Sequence, residues 1–82
     1  MSVIRGGILI RHEEAGGTIN GINLVFTTTF NYIPTTLQVF LNGLDQFNPD
    51  DFIELSGNSF QFINPPTGGI DPDRITVSYQ RA

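Results

Sequence analysis

The stretch TTLQVFLNGLDQFNPDDF, residues 35–52, decides how the chain is read. Its first half alternates. Leu37, Val39 and Leu41 fall on one face of an extended segment, and Gln38 and Phe40 fall on the other. That is the period-two pattern of a strand with one buried side. Asn42-Gly43 ends the pattern, because both residue types accept positive φ at little cost. The second half collects Asp45, Asp50 and Asp51 with Phe47 and Phe52. Two readings compete for the aspartates: oxygen ligands for a hard cation such as calcium, or the polar dressing of a loop. No EF-hand spacing organises them. Asp50 and Asp51, as neighbours in an extended segment, point to opposite faces and do not converge on one bond. The stretch therefore reads as a strand, its exit turn and an acidic loop, with no metal site and no catalytic pair.

The same alternation recurs outward from it. INLVFTTTF, residues 22–30, sets Ile22, Leu24 and Phe26 against Asn23, Val25 and Thr27. RITVSYQ, residues 74–80, sets Ile75, Val77 and Tyr79 inward and Thr76, Ser78 and Gln80 outward. FIEL (52–55) and SFQFI (59–63) flank Ser56-Gly57-Asn58, which reads as a hairpin turn. ILIR, residues 8–11, is the expected first strand. Pro65-Pro66-Thr67-Gly68-Gly69 is excluded from a strand interior because proline removes the ladder donor. Nine glycines and five prolines spread through the chain leave no room for long helices. About six short strands between turns predict an all-β domain, a small antiparallel sandwich of immunoglobulin-like size or a barrel; the sandwich is preferred. The first fifteen residues alternate less regularly, and are expected to pack as an edge strand or reach out as an arm.

Composition narrows the function classes. With 82 residues the chain holds one domain. It has no cysteine, so disulfide staples, thiolate metal sites and cysteine nucleophiles are excluded. A domain this small buries a modest fraction of its surface, so a homo-oligomer is expected to supply the remaining burial. The net charge is −4 and all four bases are arginines: Arg5, Arg11, Arg74 and Arg81. An acidic chain without a basic patch is a poor nucleic-acid ligand. No apolar run reaches spanning length, and MSVIRGGILI is too short and interrupted for a signal peptide.

The order of features from Gly21 onward is more telling than any one of them. VFLNG (Val39, Phe40, Leu41, Asn42, Gly43) is followed by Asp51-Phe52, then by a hairpin carrying Gly57, Asn58, Phe60 and Phe62. Pro65-Pro66 comes next, then Asp73, Ile75, Val77 and Tyr79. This combination, over residues 21 to 80, resembles a β-sandwich module of tail fibres and other virion proteins of tailed bacteriophages. The resemblance implies a non-enzymatic structural protein of the virion, in tail, fibre or baseplate, with other virion proteins as partners and no cofactor. Capsid decoration and a host-surface carbohydrate-binding adhesin are the alternatives. The module usually occurs as one of several in a long chain, and here it stands almost alone. It supplies no catalytic residues; its motif marks a fold.

The remaining candidates weigh toward structure. Asp71 and Asp73 flank Pro72 as turn residues. His12, the single histidine, sits in RHEE and reads as a solvated edge residue rather than a ligand or pH switch. There is no GxGxxG, Walker loop or HExxH. Among the aromatics, Phe26, Phe60, Phe62 and Tyr79 take inward positions, whereas Phe40 opposes the apolar face of its own strand. Phe40 with Val25, Phe30 or Phe47 is either the second side of a barrel core or an exposed apolar patch that marks a subunit contact.

Overall fold

The computed structural model describes residues 9–68 and 72–82. Seven strands run through them: β1 (Leu9–Glu14), β2 (Val25–Thr27), β3 (Gln38–Leu41), β4 (Leu44–Gln46), β5 (Phe52–Glu54), β6 (Ser59–Phe62) and β7 (Ile75–Gln80). They form a four-stranded sheet, β1-β7-β3-β4, and a three-stranded sheet, β2-β6-β5. Every pairing between them is antiparallel. The architecture is the all-β sandwich expected from the alternation. Residues 1–8, most of the expected arm, and 69–71, with Asp71, lie outside the described residues.

The two sheets contribute different chemistry to one core. The four-stranded sheet and its approaches supply Leu37, Val39, Ile75, Val77 and Tyr79, all buried. The three-stranded sheet supplies Phe26, Phe52, Phe60 and Phe62, also buried. The rings meet edge to face: Phe26 and Phe62 lie 5.6 Å apart at 82°, and Phe52 and Phe60 lie 6.2 Å apart at 81°. That geometry places the positive edge of one ring on the negative face of the next and adds about 0.5–1.5 kcal/mol per pair to simple burial. Beta-branched and aliphatic side chains opposite fill the gaps between rings, as dense packing requires.

One edge of the sandwich is stitched. Gly16 N–H donates to the Thr27 carbonyl at 2.8 Å and Thr27 N–H donates back at 2.9 Å, joining the exit of β1 to β2. The chain needs glycine there. A Cβ on Gly17, at φ 131°, would lie 2.6 Å from the Phe26 ring.

Three expectations change. Residues 44–46 are a strand, not an acidic loop: Leu41 pairs with Leu44, Phe40 with Asp45 and Val39 with Gln46. Asn42 and Gly43, with φ of 53° and 82°, are the exit turn expected of them, here a tight two-residue hairpin. The strand expected over 22–30 shrinks to 25–27, and Ile22 is 80 % exposed. Asn20 is the cause, because its Oδ1 accepts from the N–H groups of both Ile22 and Asn23, at 2.9 and 2.8 Å, and curls the approach. The first strand runs to Glu14 rather than Arg11. Its alternation is irregular because it carries a bulge: Ile10 pairs with Tyr79 but Glu13, three residues on, pairs with Val77. His12, at φ 53°, absorbs the extra residue.

Candidate interaction surfaces

Two of the acids expected to dress turns, Asp51 and Asp73, are engaged by backbone. Asp51 Oδ2 accepts from Phe47 N–H at 2.9 Å and closes the loop between β4 and β5. Asp73 Oδ2 accepts from Thr67 N–H at 2.8 Å, and its Oδ1 accepts from Asn42 Nδ2 at 2.8 Å. Asn42 Oδ1 in turn accepts from Arg74 N–H at 2.8 Å, which ties the β3–β4 turn to the entry of β7. These bonds, the Asn42 amide first and Thr67 next, hold the Asp73 carboxyl below its ordinary value. Glu13, turned inward by the bulge, accepts from the Tyr79 hydroxyl at 3.0 Å and from Thr29 N–H at 2.8 Å. Burial, with Glu13 beside it, raises the Tyr79 phenol. Asp45 and Asp50 are exposed. Among the described residues no three His, Asp or Glu side chains gather to hold a metal ion. No helix there is long and apolar enough to cross a membrane.

The four residues expected to form one contact patch are dispersed. Phe40 lies on the outer face of the four-stranded sheet, because its strand neighbour Val39 is fully buried. Val25 lies on the outer face of the other sheet, beside the buried Phe26. These faces point away from one another, so the four residues do not form a single surface. Phe30 sits under the Arg81 guanidinium, 3.9 Å from its ring centroid. Phe47 is in the β4–β5 loop, 63 % exposed.

Two outer faces remain as candidates. On the three-stranded sheet, the positions alternating with Phe26, Phe52, Phe60 and Phe62 are Val25, Ile53, Leu55, Gln61 and Ile63. The register sets Val25 and Ile53 on either side of Gln61 in the middle strand. Val25, Leu55 and Ile63 are 42 %, 36 % and 47 % exposed. Only Val25 of this set belonged to the expected patch. The signal for the others was present: once Phe52, Phe60 and Phe62 point inward, Ile53, Gln61 and Ile63 must point outward.

On the four-stranded sheet, the bulge turns Arg11 and His12 outward together. The His12 ring lies 6.2 Å from Phe40, and the His12 backbone N–H donates to Ser78 Oγ at 3.1 Å. Leu9, Arg11, Gln38 and Ser78 complete a shallow cleft of about 240 Å³ around the two rings. An adjoining cleft of about 490 Å³ shares His12 and runs past Thr76 and Arg74 to the Asn42-Gly43 turn. Compared with protein-family models, curated proteins and solved structures, the chain matches none.

Proposed function

We propose that the chain is a non-enzymatic structural protein of a tailed-bacteriophage virion, an assembly module of its tail, fibre or baseplate. The observation that carries the reading is where the residues of the resemblance fall. Val39, Phe60, Phe62, Ile75, Val77 and Tyr79 are core. Asn42, Gly43 and Gly57 hold the positive φ of turns, and Asp73 clasps two loops. The ordered set thus encodes a scaffold, which supports a protein used for its surfaces rather than for bond chemistry. Asp51 and Asp73, held by loop backbone, support the same reading for their own positions, since a general acid or base must be free to reach a substrate.

The test is location. Purified particles are analysed by mass spectrometry and labelled with antibody for electron microscopy. Label on the tail or its fibres is the expected result. Label on the head shifts the assignment to capsid decoration, and absence from particles overturns it.

A second reading, a host-surface adhesin, is favoured by the cleft around Phe40. An aromatic ring ringed by Arg11, His12, Gln38 and Ser78 has the mixture of apolar platform and polar groups that a saccharide ring requires. Titration with soluble host-surface oligosaccharides, followed by the NMR signals of His12 and Phe40, tests it. No shift at millimolar ligand removes this reading.

A further inference from the structure

We propose that Asn42 is a site of spontaneous deamidation, whose rate the bonds to Asp73 and Arg74 hold down and whose product opens the tie between the β3–β4 turn and β7. The inference goes beyond the assembly reading and does not rest on it.

The sequence names two candidates. Among the asparagines, only Asn20 and Asn42 precede glycine. Asn48 and Asn64 precede proline, which has no N–H. The others precede side chains that crowd the backbone nitrogen. In an Asn-Gly pair the glycine nitrogen attacks Cγ of the asparagine amide. A new C–N bond forms, the Cγ–Nδ2 bond breaks, and the glycine proton leaves with that nitrogen as ammonia. Water then opens the cyclic imide at one of its two carbonyls. The product is aspartate, or isoaspartate with an extra methylene in the backbone. No oxidant or reductant takes part.

The structure separates the two. At Asn20 both reacting groups are held. Gly21 N–H donates to the Pro66 carbonyl at 2.8 Å, and Asn20 Oδ1 accepts from Ile22 and Asn23 N–H at 2.9 and 2.8 Å. Gly21 is half-buried and Pro66 is buried. At Asn42 only the amide is held, by Asp73 Oδ1 and Arg74 N–H, both at 2.8 Å. The attacking nitrogen is open: Gly43 is exposed, and its N–H has no hydrogen-bond partner among the described residues. Attack begins when hydroxide takes the glycine proton, so an N–H facing water reacts before one that donates to a carbonyl. The bonds to Asp73 and Arg74 are then the restraint that remains. They pin the Asn42 amide to the entry of β7, and it swings onto Gly43 only when they open.

The product undoes the restraint. Aspartate at position 42 replaces the Nδ2 donor with a second acceptor, at hydrogen-bond distance from the Asp73 carboxylate. Two carboxylates so close cannot both ionise without repulsion. Isoaspartate lengthens the backbone of a two-residue turn whose φ angles of 53° and 82° suit the pairing of Leu41 with Leu44. Either product also sets a negative charge on the rim of the larger cleft, which Asn42 lines with His12 and Arg74.

Peptide mapping by mass spectrometry of the full chain, aged in mildly alkaline buffer, tests the proposal. Folded protein should convert Asn42 faster than Asn20 by up to about tenfold, the factor that one hydrogen bond on the attacking nitrogen provides. In concentrated urea the two rates should be alike, because both pairs are then unfolded Asn-Gly. Asp73→Ala should speed conversion at Asn42 severalfold and leave Asn20 unchanged. Circular dichroism checks that this variant folds, and Asp73→Ser carries the same comparison if it does not. Asn42→Asp, made directly, should lower Tm at neutral pH, by an amount that shrinks as pH falls and the carboxyl pair takes up a proton. Equal rates in folded protein, or Asn20 ahead, overturn the proposal. So does a ratio that is the same folded and in urea. An Asn42 rate unmoved by loss of the Asp73 carboxylate overturns the restraint, and an Asn42→Asp variant as stable as the parent at neutral pH overturns the opening of the tie.

Discussion

The two outer faces of the sandwich both lie on antiparallel sheets, yet they differ in kind. The face on β2-β6-β5 sets Val25, Ile53, Leu55 and Ile63 among Thr27, Ser59 and Gln61, with Asp51 opposite Ile63 at its margin. The face on β1-β7-β3-β4 carries arginines, acids, a histidine and a single phenylalanine. Solvent-facing sheets normally mix polar residues into every outward position, because isolated apolar groups tolerate water but contiguous ones invite association. The second face follows that habit with charged groups, the first mainly with hydroxyls and an amide. The difference shows that outward alternation alone does not define a surface; what matters is which outward residues the register sets side by side. Phe40 is large and apolar, but its cross-strand neighbours are Asp45 and Thr76. Ile53 has Gln61 and then Val25 in its row.

Protection of the edges differs as well. The bulge in β1 disturbs the ladder on that edge of the four-stranded sheet, a device that discourages strand addition. The positive φ of His12 costs about 1–3 kcal/mol for a residue with a Cβ, and the return is visible inside. The extra residue sends Glu13 inward, where it bonds the Tyr79 hydroxyl and Thr29 N–H.

The inside–outside distinction breaks first if adjacent residues of one strand behave alike. Phe60 is fully buried and Gln61 is its outward neighbour. Phe60→Ala should cost about 3–5 kcal/mol of folding stability through the cavity it leaves, and Gln61→Ala should stay within about 0.5 kcal/mol. On the other sheet, Val39→Ala should cost about 1–3 kcal/mol and Phe40→Ala clearly less. Urea unfolding of the four variants at low protein concentration measures this without contribution from association. Equal losses for the two members of a pair would place both side chains in the core and make the fold a barrel.

A smaller effect sharpens how the four-stranded face is held. Asn42 joins the β3–β4 turn to Asp73 and Arg74 and adopts positive φ. Asn42→Ala should lose about 1–2 kcal/mol, from the missing hydrogen bonds and the strained turn. The same clasp carries a pH signature. The folded state lowers the Asp73 carboxyl below its ordinary 3.8, so folding favours the ionised form. That contribution is fully present above the unfolded value and is lost as pH falls through the folded one. Asp73→Asn should therefore unfold with a shallower acid dependence below about pH 4, seen as a smaller drop in Tm between pH 5 and pH 2. An unchanged slope would mean that the clasp does not survive in solution.

Much of this was legible in the chain itself. Alternation in residues 37–41 and 75–79 assigned the buried faces of β3 and β7, because a strand can bury one side only by repeating every second residue. The Ser56-Gly57-Asn58 hairpin and the absence of helices among the described residues followed from backbone preferences that act within a few residues. Three features needed the tertiary structure. Leu44-Asp45-Gln46 has one apolar residue and no pattern of its own; it is a strand only because the Asn42-Gly43 turn folds it back onto β3. The β1 bulge is invisible to any regular period, since its function is to shift the phase against β7. The outer face of the three-stranded sheet is assembled from β2 and the β5–β6 hairpin, which residues 28–51 separate in sequence. Local sequence determines where each side chain points relative to its own strand, and pairing between distant strands determines which of them become neighbours.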